Sequence, residues 1–122
     1  MLSRRFTTLL GAFLLIEGIW GLFSPVVFGV LTTNTLHAVI HIALGITGIL
    51  AGRRGFARPY LLGIGALLLV VGILRFVPGA SELVVSLLNV NVAVAYFNIA
   101  VGVISLLVAL SAPRSIPVTR AP

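Results

Sequence analysis

The amino-acid sequence predicts an all-α integral membrane four-helix bundle built from two tandem helical hairpins. Hydrophobic residues make up 60% of the 122-residue chain and charged residues only 8%, and the mean hydropathy is +1.25. Soluble domains carry about 25% charged residues, so this composition lies far outside their range. Four apolar stretches of transmembrane length follow one another along the chain. The lipid bilayer is therefore its expected solvent.

Four membrane spans are predicted, and they account for nearly all of the chain. They cover about residues 6–23, 35–51, 60–77 and 88–110, within one transmembrane domain over residues 1–112. Residues 113–122 are rich in proline and polar residues, which predicts a disordered cytoplasmic tail. The longest connection between spans is too short to hold a catalytic module.

Internal repetition in the sequence predicts the two hairpins. The segment LLIEGIWGLFSP resembles LLVVGILRFVP at an offset of 54 residues, and NTLHAVIHIALGITGILA resembles NVAVAYFNIAVGVISLLV at an offset of 57. The aligned pairs are Gly11 with Gly65, Gly18 with Gly72, Asn34 with Asn91, His41 with Asn98, Gly45 with Gly102, and Gly48 with Ser105. Each repeat contains two spans, so both halves are expected to cross the membrane in the same direction.

Small and polar residues share one face of the second predicted span and one face of the fourth. At about 100° per residue, the small and polar residues of the second span fall within an arc of about 60°. They are Asn34, His37, His41, Gly45, Gly48 and Gly52, and the fourth span repeats them with Asn91, Asn98, Gly102, Ser105 and Ala109. Small residues let helix backbones approach closely in lipid. Both stripes are therefore expected to face the bundle interior, with Gly11, Gly18, Gly65 and Gly72 packing similarly on the other two spans.

Glu17 lies near the middle of the first span, where a charged side chain costs about 2.5 to 3.5 kcal/mol on insertion scales. It therefore needs a partner or a proton. Glu17 lies twelve residues from Arg5, and His41 lies twelve residues from Arg53. At about 1.5 Å per residue, both lie about 18 Å from the arginine-bearing side of the membrane. This common depth favours a contact between the acid and the imidazole.

We accordingly predict an intramembrane polar cluster. Its members are Glu17, His41 and Asn98, with His37 and Asn34 one and two helical turns closer to the outer surface. The acid and the imidazole are expected to form either an ion pair or a neutral hydrogen bond, and their titration would belong to the pair. The sequence leaves both alternatives open.

The distribution of arginine predicts that both termini are cytoplasmic. Seven of the eight basic residues fall on one side of a four-span chain: Arg4, Arg5, Arg53, Arg54, Arg58, Arg114 and Arg120. Cytoplasmic loops carry such an excess of positive charge. On the other side, Arg75 is expected either to anchor at headgroups or to pair with Glu82. The net charge of +6 thus indicates membrane topology and not a nucleic-acid surface, because the arginines form no single patch.

Neither a cofactor nor an enzymatic reaction is expected. The chain contains no cysteine, which excludes disulfides, thiolate metal sites and a cysteine nucleophile. His37 and His41 project from the same side of one helix, so they cannot ligate opposite faces of a haem. A metal ion on His37, His41 and Glu17 is chemically sensible, but two histidines at this spacing also occur by chance. No nucleophile is paired with a base.

Several segments together resemble a known family. They are GLFSP, NTLHAVIHIALGITGILAG, ARPYLLGIGALLLVVGIL and the second helix with asparagines and glycine. The chain resembles an uncharacterised family of small four-span bacterial membrane proteins that is catalogued as a domain of unknown function. Its recurring Asn-x-x-His at the start of the second span is matched by Asn34 and His37. In relatives a similar pair often recurs before the last span, whereas here Asn91 is followed by Val94.

The resemblance implies a multi-pass protein of the bacterial cytoplasmic (inner) membrane and implies no activity. We expect a non-enzymatic structural or accessory component that works in the lipid bilayer with other membrane subunits or as a homo-oligomer. The alternative is a transporter or channel element that moves protons or cations past Glu17 and His41.

Overall fold

A computed structural model describes residues 2–111 of the chain. The elements in order are α1 (Leu2–Phe23), β1 (Val26–Val27), β2 (Leu31–Thr32), α2 (Thr35–Arg54), α3 (Ala57–Leu74), α4 (Ala80–Leu88) and α5 (Val92–Ser111). The helices α1, α2, α3 and α5 are long and apolar enough to cross a membrane. The predicted all-α four-span fold is confirmed, and the chain is a multi-pass membrane protein. The predicted tail, residues 113–122, with Arg114 and Arg120, lies outside the described residues.

The connection between the third and fourth spans contains a helix that the sequence analysis missed. Helix α4 runs through the segment that was predicted to be a loop, and it ends where Asn89 takes the left-handed conformation with φ of 53°. Asparagine is one of the few residues that adopts this conformation readily at a helix C-terminus. The fourth span consequently begins at Val92, four residues later than predicted (92 minus 88).

A small β-hairpin between α1 and α2 was also missed. Val26 and Val27 pair antiparallel with Thr32 and Leu31, respectively. Phe28 and Gly29 have φ of 55° and 74° at the turn, as a type I′ turn requires. Glycine adopts positive φ without steric cost, which suits it to the second of these two positions.

Each of the two long-helix pairs forms a hairpin with closely packed backbones. Helix α1 packs chiefly on α2, and α3 chiefly on α5. A Cβ atom placed on Gly18 would lie 2.7 Å from the carbonyl oxygen of Ala38, and one on Gly72 would lie 2.7 Å from that of Ala95. These four positions correspond under the offsets of 54 and 57 residues seen in the sequence. The glycine faces are therefore turned toward the partner helix of the same hairpin.

The same correspondence appears at the end of the bundle that carries the arginines, here called the arginine end. Arg4 Nε donates to the carbonyl of Gly52 at 3.0 Å, and Arg58 Nε donates to that of Ala109 at 3.2 Å. Carbonyls in the last turn of a helix have no partner within the helix, so these side chains satisfy them. The arginines at this end are Arg4, Arg5, Arg53, Arg54 and Arg58.

Contacts between the two hairpins are mainly apolar. One buried cluster toward the arginine end comprises Leu10, Leu14, Leu61, Ile64, Leu68 and Ala109. A second buried cluster lies at the opposite end, which carries Asn34, Asn89 and Asn91 and is here called the asparagine end. This second cluster includes Val27, Leu31, Val84, Val90 and Val94. The hydroxyl of Tyr60 on α3 also donates to the carbonyl of Leu44 on α2 at 2.6 Å. The hairpins thus contact each other toward both ends of the bundle.

Candidate functional site

Glu17 on α1 and His41 on α2 lie in contact inside the helical part of the protein. His41 Nδ1 is 2.7 Å from Glu17 Oε1, and each residue is only 6% exposed. The pair meets at ion-pair distance without the alignment of a hydrogen bond, and no donor within residues 2–111 hydrogen-bonds to Oε1. The close backbone packing at Gly18, the next residue of α1, holds the two helices near enough for this contact.

His37 extends this contact by one helical turn toward the asparagine end. Its ring centroid lies 4.3 Å from that of His41, with the ring planes at 81°. His37 Nδ1 is 2.8 Å from the carbonyl oxygen of Leu88. A carbonyl can only accept, so His37 Nδ1 carries the hydrogen in this contact. The end of α4, which the sequence analysis missed, supplies this carbonyl.

Asn34 lies at the N-terminus of α2 and acts as its cap. Its Oδ1 accepts from the His37 backbone N–H at 2.9 Å, while its Nδ2 donates to the Leu87 carbonyl at 2.8 Å. Asn91 caps α5 in the same way by accepting from the Val94 N–H at 2.8 Å. Asparagine is among the preferred N-cap residues because its short side chain satisfies a free N–H of the first turn. The spacing of Asn34 and His37 is thus that of a helix cap and the third helical residue.

Asn98 on α5 is 3% exposed, and its side-chain amide makes no hydrogen bond within residues 2–111. It occupies the position that corresponds to His41, whereas Val71 stands where the first hairpin has Glu17. The second hairpin therefore has the buried polar residue but lacks its acidic partner. The structure does not bring Asn98 into hydrogen-bonding contact with Glu17 or His41.

A cavity of about 80 Å³ lies between the two hairpins. Its polar lining comes from His37, His41 and Asn98, and Leu68, Val71 and Leu88 contribute to its apolar walls. Glu17 is not among the lining residues, although it contacts His41 Nδ1. The histidines of one hairpin and the asparagine of the other thus share a single internal space.

The predicted packing glycines all lie at close approaches. A Cβ atom on any of them would come within 3.0 Å of a neighbouring atom: Gly11, Gly18, Gly45, Gly48, Gly65, Gly72 and Gly102. For Gly11 and Gly45 the neighbours are backbone atoms of the facing helix. Backbone atoms cannot turn aside as a side chain can, so there is no room for a larger residue.

Interactions at the asparagine end were not foreseen from the sequence. Asn89 Nδ2 donates to the Thr33 carbonyl at 2.8 Å. This bond joins the connection between α3 and α5 to the connection between α1 and α2. Arg75 Nε donates to the Val90 carbonyl at 2.8 Å, and a second guanidinium nitrogen donates to Ser81 Oγ at 3.1 Å. The suggested pairing of Arg75 with Glu82 is wrong, because the guanidinium satisfies these acceptors instead. Asparagines just before helices were the only visible indication of this network.

The metal set of His37, His41 and Glu17 considered above is not formed. Glu17 contacts His41 Nδ1, and Glu17 is not among the residues that line the cavity. No group of three or more histidine and acidic side chains within residues 2–111 could hold a metal ion together. Any ion site in the cavity would have to draw on a different donor.

The family comparison agrees with the fold. A family model described as Domain of unknown function (DUF4383) matches residues 4–111, a stretch that includes all four long helices. Comparison with curated proteins and with solved structures gives no match. The chain belongs to this family of domains of unknown function.

Proposed function

We propose that the protein is a non-enzymatic structural or accessory component of the bacterial cytoplasmic membrane. The observation that carries this proposal is that polar side chains within the apolar helices contact polar groups of other helices. Glu17 is matched by His41, His37 by the Leu88 carbonyl, and Arg4 by the Gly52 carbonyl. Polar contacts of this kind hold membrane helices together, since lipid offers polar groups no alternative partner.

The geometry is less favourable for the alternative, in which protons or cations pass Glu17 and His41. The titratable side chains do form a short row from Glu17 through His41 to His37. Toward the arginine end, however, the buried hydroxyls of Thr7 and Ser105 make no hydrogen bond within residues 2–111. A relay would need continuous polar contacts across the membrane. The row supports a conducting role only near the asparagine end.

The proposed partners are the lipid bilayer and either other membrane subunits or further copies of this chain. Within residues 2–111 the connections between the long helices hold only a small β-hairpin and the nine-residue helix α4, so a partner would be met mainly along the lipid-facing sides of the long helices. We place the arginine end and both termini in the cytoplasm because an excess of arginine is typical of cytoplasmic loops. Native mass spectrometry of the gently extracted protein would report its copy number and any subunits that copurify.

Replacing Glu17 with glutamine tests the structural role. Glu17→Gln keeps the side-chain size but removes the charge opposite His41. We expect the free energy of unfolding in detergent micelles to fall by about 1 to 3 kcal/mol, between the cost of losing one membrane hydrogen bond and that of breaking a buried ion pair. Glu82→Gln is the matched control, because Glu82 is the only other acidic residue of the chain and is exposed.

The same variant distinguishes the structural role from transport. Proteoliposomes with a pH gradient and an internal pH-sensitive dye would report proton movement by the unmutated protein and by Glu17→Gln. The structural role predicts that neither moves protons faster than protein-free liposomes. Proton movement that depends on Glu17, together with unchanged stability of the variant, would establish the transport alternative.

A further inference from the structure

We propose that the cavity between the hairpins binds a divalent transition-metal ion. The protein ligands would be the Nε2 atoms of His37 and His41 on α2 and the side-chain oxygen of Asn98 on α5. This site differs from the set of two histidines and Glu17, because the carboxylate here supports a ligand and does not bind the ion itself. The inference goes beyond the proposed structural role and does not depend on it.

Both imidazole rings are already held as metal-ligating histidines usually are. The Nδ1 atom of His37 donates to the Leu88 carbonyl at 2.8 Å, and that of His41 lies 2.7 Å from the Glu17 carboxylate. A histidine that binds a metal through one ring nitrogen almost always engages the other with a carbonyl, a carboxylate or water. Neither Nε2 atom makes a hydrogen bond within residues 2–111. His37 therefore keeps its Nε2 lone pair for an ion, and His41 keeps its own when its Nδ1 carries the hydrogen that faces the Glu17 carboxylate.

The spacing of the rings suits a shared ion. Histidines four residues apart lie on the same side of a helix, which is the arrangement that zinc-binding helices use. With metal–nitrogen distances of about 2.0 to 2.1 Å, two imidazoles on one ion have centroids separated by about 4.5 to 5 Å. The observed separation is 4.3 Å. The rings of His37 and His41 would therefore have to move apart by less than about 1 Å.

Asn98 provides the observation that points to a ligand from the opposite hairpin. The residue is 3% exposed, its amide makes no hydrogen bond within the described chain, and it lines the same cavity as the two histidines. A buried polar side chain without a partner costs free energy. A metal ion would satisfy its oxygen, and bound water would complete the coordination. The cavity of about 80 Å³ has room, since one water needs only about 10 to 15 Å³.

The donor set indicates which ions would bind. Two imidazole nitrogens suit zinc, copper, nickel and iron, whereas calcium and magnesium prefer sites built from oxygen alone. Glu17 would also offset part of the positive charge of the ion, which is expensive to bury in an apolar environment. A divalent transition-metal ion is therefore the class that this cavity would take, and Cu²⁺ and Zn²⁺ are suitable probes.

The test uses the full chain in detergent micelles, carrying an affinity tag that contains no histidine. Titration with Cu²⁺ and with Zn²⁺ should show one ion per chain. Electron paramagnetic resonance of the Cu²⁺ form should show coupling to two nitrogens. The sequence contains only two histidines, so those nitrogens can be assigned to His37 and His41 by loss of the coupling in His37→Leu and His41→Leu. Absence of stoichiometric binding to the folded, unmutated chain would overturn the proposal.

Variants around the cavity test the remaining roles. Glu17→Gln should weaken metal binding by about 10- to 100-fold, as loss of a group that supports a ligating histidine typically does. Asn98→Leu should also weaken it, whereas Tyr96→Phe, an exposed change on the same helix, should not. Two-nitrogen coupling that persists without either histidine would place the ion elsewhere and refute the site. Such a failure would leave the proposed structural role standing, because that role is tested by unfolding without metal.

Discussion

The substitution Gly45→Ala tests whether backbone contact between α1 and α2 holds the first hairpin together. A Cβ atom on Gly45 would lie 2.5 Å from the Leu15 backbone nitrogen and 2.7 Å from the Gly11 carbonyl oxygen. Ordinary van der Waals contact begins at 3.4 Å, so the two helices would have to separate locally by 0.9 Å (3.4 minus 2.5). Overpacking of this kind costs about 1 to 3 kcal/mol.

Alanine also favours the helical conformation over glycine by about 1 kcal/mol, and this gain must be separated from the packing cost. Gly63→Ala is the matched control, because Gly63 lies within α3 and a Cβ atom there would meet nothing within 4 Å. We expect the free energy of unfolding in mixed detergent micelles, followed by circular dichroism, to differ between the two variants by about 1 to 3 kcal/mol. Equal stabilities for Gly45→Ala and Gly63→Ala would refute the close-packing argument.

Two further predictions concern the helix cap and the topology. Asn34→Ala should lower the free energy of unfolding by about 0.5 to 2 kcal/mol, because it removes the acceptor for the His37 N–H; an unchanged unfolding midpoint would contradict the capping role. In intact cells, a cysteine introduced by Glu82→Cys, at an exposed position of α4, should react with a membrane-impermeant maleimide, whereas one introduced by Phe56→Cys should be protected. The reverse labelling pattern would show that the arginine end faces outward.

The helices and the faces they bury follow from local properties of the sequence. The apolar runs that became α1, α2, α3 and α5 are long enough to cross a bilayer, and such length is visible without any tertiary information. The stripe of small residues in α2 was also recognisable, since helical geometry alone places His41 and Gly45 on one side. Both residues are buried in the structure.

Short secondary-structure elements were harder to predict from the sequence. Helix α4 has nine residues, and an isolated helix of this length is marginal without tertiary support. The apolar sequence around Val84 was therefore equally compatible with a loop. Its burial against the other hairpin makes the helix stable, and this burial depends on contacts far apart in the sequence. The hydrogen bond from Arg75 to the Val90 carbonyl likewise joins residues that are 15 positions apart in the sequence.

Hydropathy, charge placement and helical periodicity are properties of neighbouring residues, so they indicated a membrane protein with four spans without any tertiary information. Glu17 contacts His41, a contact that their common depth in the sequence had already indicated. The partners of the other polar groups came from the tertiary structure alone: His37 contacts the Leu88 carbonyl, whereas Asn98 has Val71 in place of an acid and lines a cavity. Such pairing depends on the separation and rotation of whole helices, and packing against distant segments sets both. The chemistry available at this site is consequently a property of the fold.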